Sequence, residues 1–98
     1  MMDDGDDDGI FVSSTSRDPQ YSAVFEDDGE VAYGYLLSDG QIISDVWLYN
    51  RDDTGPSRVA AVSSEDEVSI VWVYGKGPAP VAVEFWIRGA LQAGISVA

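Results

Sequence analysis

From Ile10 onward, apolar and polar residues alternate along most of the chain, and turn residues cut the alternation at short intervals. This is the pattern of short strands joined in hairpins. Tyr21, Ala23 and Phe25 alternate with Ser22, Val24 and Glu26 up to Asp27-Asp28-Gly29, and Val31, Tyr33, Tyr35 and Leu37 alternate with Ala32, Gly34 and Leu36 up to Ser38-Asp39-Gly40. Each Asp-Gly supplies the positive-φ residue that a tight hairpin turn needs, so Tyr21–Glu26 and Glu30–Leu37 are expected to pair antiparallel. A third run places Ile42, Ser44, Val46 and Leu48 on one side and Ile43, Asp45, Trp47 and Tyr49 on the other, so both faces carry large apolar groups.

Residues 50–57 form the longest polar connection and read as a surface loop. Arg58–Val62 is a short apolar run, and Val68, Ile70, Trp72 and Tyr74 alternate with Ser69, Val71 and Val73. Val81, Val83, Phe85 and Ile87 alternate with Ala82, Glu84 and Trp86, and Leu91–Val97 closes the chain after Arg88-Gly89-Ala90. No stretch reads as a helix of more than about two turns. The expectation is an all-β fold, a small antiparallel meander of about eight short strands forming a sandwich or a partly open barrel.

Between Phe25 and Ser57 lie Phe25-Glu26-Asp27-Asp28-Gly29-Glu30, Tyr33 and Tyr35, Ile43-Ser44-Asp45, Leu48-Tyr49-Asn50 and Pro56-Ser57, followed later by Ile70-Val71-Trp72. In order and spacing these resemble the bacterial family called domain of unknown function 2251, with motifs over about half of this chain. The resemblance implies a small bacterial protein of mostly β structure and transfers no activity. The chain departs from the family pattern after Trp72, where its ending is more apolar.

Ninety-eight residues suit a single domain, expected over residues 10–98, with residues 1–9 as a disordered acidic leader. The leader has neither the basic segment nor the apolar segment of a signal peptide, and no apolar run is long enough for a membrane span, so a cytoplasmic location is expected. Zero Cys and zero His remove thiolate chemistry, the usual zinc ligands and the commonest general base. With no phosphate-cradling loop or serine-nucleophile motif either, catalysis is not expected, and neither is a cofactor. Eighteen acidic against 5 basic residues, a formal charge of −13, argue against nucleic-acid and anionic-membrane partners and for a basic protein partner.

Glu26, Asp27, Asp28 and Glu30 crowd one hairpin tip and are the candidate partner-binding residues. Asp4-Gly5-Asp6-Asp7-Asp8-Gly9 opens like a calcium loop, but its twelfth position is Thr15, so no metal site is assigned and Asp4, Asp6 and Asp8 stay weak candidates. Asp45, set in mid-strand among large apolar neighbours, calls for an ion pair with Arg51, Arg58 or Arg88, for hydrogen bonds to a neighbouring loop, or for a ligand or partner contact, and a small-ligand or cation site would join it to Trp47 and Tyr49. Trp47, Tyr49, Val71, Val73 and Trp86 fall opposite the regular apolar stripes of their strands, and the surplus predicts a homodimer through a face containing them. The functional expectation is therefore a non-enzymatic protein-interaction module, immunity-like, antitoxin-like or regulatory, with small-ligand or divalent-cation binding as the alternative.

Overall fold

The computed structural model describes residues 9–50 and 61–97. Among the described residues the strands are β1 (Ile10–Thr15), β2 (Tyr21–Asp27), β3 (Val31–Ser38), β4 (Gln41–Asn50), β5 (Val68–Tyr74), β6 (Pro80–Ile87) and β7 (Ala90–Ser96), with a 3-10 turn at Glu65–Glu67. They form two antiparallel sheets, one in the order β1-β2-β3-β4 and one in the order β5-β6-β7. Each sheet is thus a meander, every strand paired with its neighbour in sequence. The all-β expectation holds, and the form taken is the sandwich, since the two sheets stay separate and do not close into a barrel. Among the described residues seven strands stand where about eight were expected. The missing one is Arg58–Val62, whose residues 58–60 lie outside the described part and whose Ala61 and Val62 are not in a strand. The proposed leader also lies outside it, apart from Gly9.

The turns follow from local chemistry. Asp39 and Gly40 both have positive φ, 53° and 82°, which is the backbone of the two-residue turn whose twist matches the flanking strands, and Arg88-Gly89 repeats it at 50° and 81°. At the first hairpin Gly29 takes a φ of 97°, and the Asp28 carboxylate accepts hydrogen bonds from the N–H groups of Glu30 and Val31 at 2.9 and 3.0 Å. Those two donors hold the Asp28 carboxyl below its ordinary value. The expected Tyr21–Glu26 and Glu30–Leu37 hairpin is present as β2 and β3, with Phe25 opposite Gly34.

The core lies between the sheets. Ala23, Phe25, Ala32, Leu36, Leu48 and Tyr49 from the first sheet meet Val68, Val83, Phe85, Ile87 and Ile95 from the second, with Val62 closing one end. Gly34 decides which face of β3 turns inward. A Cβ at that position would sit 2.6 Å from the Phe85 ring, so the ring occupies the space a larger residue would need. Ala32, Gly34 and Leu36 consequently face the core, and Val31, Tyr33, Tyr35 and Leu37 face away from it.

On β4, register shifts between Ala32 and Tyr33 and between Leu36 and Leu37 break strict alternation. Tyr49 pairs with Ala32 while Trp47 pairs with Tyr33, which leaves Leu48 as the extra residue of a bulge. Trp47 and Tyr49, expected on one side, therefore point to opposite faces. The two sheets are joined at β1 and β5 by the Trp72 indole N–H donating to Ser14 Oγ at 3.0 Å and by the Arg17 guanidinium lying 3.6 Å over the Tyr74 ring.

Candidate functional site

The outward face of the four-stranded sheet can be read row by row from the pairing register. One row across the strands is Phe11, Glu26, Tyr33 and Trp47; the next is Ser13, Val24, Tyr35 and Asp45; the third is Thr15, Ser22, Leu37 and Ile42. Phe11 is 57% exposed, Ile42 58% and Trp47 44%. Tyr33 and Tyr35 stack with ring centroids 6.0 Å apart and an interplanar angle of 27°, and the Trp47 indole N–H donates to Asn50 Oδ1 at 3.0 Å. Two carboxylates, Glu26 and Asp45, interrupt this aromatic surface on either side of the tyrosine pair. Among the described residues no Lys or Arg lies on the face: Arg17 covers Tyr74, Arg88 pairs with Glu67, and Lys76 is in the β5–β6 loop.

Phe11, Val24, Glu26, Tyr35, Leu37 and Ile42 enclose a shallow groove of about 290 Å³ on this face. Tyr35 and Glu26 are diagonal neighbours across β2 and β3 in its lining. Partial burial raises the phenol's pKa, and the nearby Glu26 carboxylate, and then the charge of Asp45 and the neighbouring Tyr33, push it the same way.

The candidate residues are redistributed by the fold. Of the four acids at the hairpin tip, Glu26 belongs to the outward face, Asp28 is taken up by its own turn and Glu30 is exposed. Asp27 is not at the surface: it is 1% exposed, its Oδ2 accepts the Tyr49 hydroxyl at 2.6 Å, and its Oδ1 accepts the Gly29 N–H at 2.9 Å. The Tyr49 oxygen in turn accepts the Val62 N–H at 3.2 Å. This buried network ties the hairpin to the segment before β5, and it corrects the expectation of four carboxylates in one docking patch.

The expected Asp45, Trp47 and Tyr49 site is likewise split, because Asp45 and Trp47 are on the outward face and Tyr49 is in the core. The five residues of the expected dimer face do not form one surface either. Trp47 is on the outward side of the first sheet, Tyr49 is inside, and Val71, Val73 and Trp86 face outward from the second sheet, where the Trp86 indole N–H donates to Glu84. Asp4, Asp6 and Asp8, and two of the proposed Asp45 partners, Arg51 and Arg58, lie outside the described residues. The third, Arg88, is paired with Glu67. Among the described residues there is no group of three or more Asp and Glu side chains placed to hold a metal ion, and no helix is long and apolar enough to cross a membrane.

The residues that reasoning on the sequence missed are Phe11, Val24, Tyr33, Tyr35, Leu37 and Ile42. For Tyr33, Tyr35, Leu37 and Ile42 the signal was present, since both stripes of β3 and β4 are apolar, but alternation alone does not say which stripe faces out. Residues 6–88 match the family described as an uncharacterised protein conserved in bacteria, domain of unknown function 2251. The chain belongs to that family. The match takes in the first six strands, and so includes the whole sheet that carries the aromatic face, whereas β7 lies beyond it. No curated protein and no solved structure matches the chain.

Proposed function

We propose that this member of the domain of unknown function 2251 family is a non-catalytic interaction module, and that the outward face of the β1-β2-β3-β4 sheet docks a basic polypeptide. The observation that carries this reading is the solvent-facing arrangement of Phe11, Tyr33, Tyr35, Ile42 and Trp47 around Glu26 and Asp45. Exposed aromatic area of this kind is what interfaces use as anchors. A face whose charged groups are carboxylates favours a cationic partner, while a second copy stacked on the same face would bring like charges together in a chain of formal charge −13. A small-ligand role is less well supported, since Asp45 and Trp47 do not share a cavity with Tyr49.

The test is a photo-crosslinking amino acid at position 47, in place of Trp47, expressed in the bacterial host. The expected result is a cross-link to a polypeptide rich in Lys and Arg that weakens as salt rises and is lost on Glu26→Gln with Asp45→Asn. Cross-links only to a second copy of the chain, or to polypeptides indifferent to salt and to those substitutions, overturn the reading.

A further inference from the structure

On the face assigned above to docking, the groove lined by Phe11, Val24, Glu26, Tyr35, Leu37 and Ile42 combines three properties in one place. Its walls are aliphatic, from Val24, Leu37 and Ile42. Two aromatic rings, Phe11 and Tyr35, border it. Its one charged lining group among the described residues is the Glu26 carboxylate, which lies diagonally across β2 and β3 from Tyr35. Phe11 pairs directly with Glu26 across β1 and β2, and Val24 pairs with Tyr35 across β2 and β3, so rigid sheet register, not a loop, sets the spacing.

We propose that this groove is a site for an arginine side chain presented by the basic partner, a reading that rests on the docking function proposed above. An alkyl stem on the aliphatic wall and a planar guanidinium between the rings, bonded to Glu26, satisfy each property at once. A guanidinium stacks on aromatic faces and meets a carboxylate through two parallel hydrogen bonds, whereas an ammonium is a strongly hydrated point charge that gains less from rings. The negative charge of Asp45, one strand away from Tyr35 in the same row, favours the same cation. A neutral apolar side chain fills the wall and leaves Glu26 without a counter-charge, and an acidic one is repelled.

The experiment is a titration of the whole chain, followed by backbone amide NMR, with a blocked pentapeptide carrying one central arginine among glycines. Parallel titrations use peptides in which citrulline, lysine or norleucine replaces the arginine. The expected result is saturable shifts confined to the residues lining the groove. Citrulline has the same shape without the charge and is expected to bind at least tenfold more weakly, as is the arginine peptide on the Glu26→Gln chain, with lysine in between. Tyr35→Leu keeps the groove apolar but removes the ring and its hydroxyl, and is expected to weaken arginine more than norleucine. The unperturbed amide spectrum of the remaining residues shows that each variant is folded.

Equal binding of arginine and citrulline, or shifts spread outside the groove, overturn the proposal. Ethylguanidinium binding as tightly as the peptide overturns the assignment to a polypeptide. If position 47 still cross-links a basic protein while the peptide gives no response, the arginine site falls and the docking face stands. A specific peptide response without any cross-link removes the docking reading and leaves the groove's preference for arginine intact.

Discussion

The two faces of the β1-β2-β3-β4 sheet are built from the same strands and obey opposite rules. On β3 the residues turned toward the core are Ala32, Gly34 and Leu36, the first two of them small. Toward solvent the same strand turns Val31, Tyr33, Tyr35 and Leu37, which are larger and more aromatic. The inner face is governed by the space the second sheet leaves, as the Phe85 ring over Gly34 shows, and not by apolar content. Apolar residues that the core does not use are displayed outside, where they add little to stability and are available for recognition.

This difference is open to breakage, and the inner face offers the largest effects. Phe85→Ala empties the space over Gly34 and is expected to cost about 3–5 kcal/mol in urea unfolding. Gly34→Val drives a side chain into the Phe85 ring and is expected to cost about 1–3 kcal/mol, partly restored when combined with Phe85→Leu. Tyr49→Phe removes the hydroxyl that donates to Asp27 and accepts from Val62, with an expected loss of about 1–3 kcal/mol. An inner face indifferent to these changes ends the comparison. On the outer face, Tyr33→Thr preserves strand preference and is expected to change stability by no more than about 0.5 kcal/mol while weakening partner capture.

The smallest effects are in titration. Tyr35 has its pKa raised above 10.0, first by burial and then by Glu26, so any stability linked to it is complete below pH 10.0 and is lost as pH rises through the folded value. Glu26→Gln is expected to move the phenol titration, followed by ultraviolet absorbance, down toward 10.0 without reaching it, because burial is the larger cause. Asp28 is displaced the other way. Its contribution is present above 3.8 and is lost as pH falls through the lowered folded value, and Asp28→Asn is expected to flatten the acid limb of the stability curve.

The hairpins were legible in the sequence because their information is local. Asp28-Gly29 and Asp39-Gly40 name the turns, and alternation over the intervening residues names the strands. The candidate site was legible only in pieces. Glu26, Asp45 and Trp47 were singled out and do share a face, while Asp27 and Tyr49, chosen on the same grounds, are buried against each other. A carboxylate one position further along a strand points to the opposite side of the sheet, and whether that side is solvent or core depends on what covers it.

What the sequence determined by itself was the strand-and-turn order, the antiparallel meander and the acidic character, each a property of near neighbours or of composition. Only the tertiary structure decided which stripe of each strand faces inward. With apolar residues on both sides of β3 and β4, the hydrophobic effect does not choose between them. The choice falls to steric fit against Phe85 and to the bulge at Leu48, which reverses the phase of β4 and sends Trp47 out and Tyr49 in.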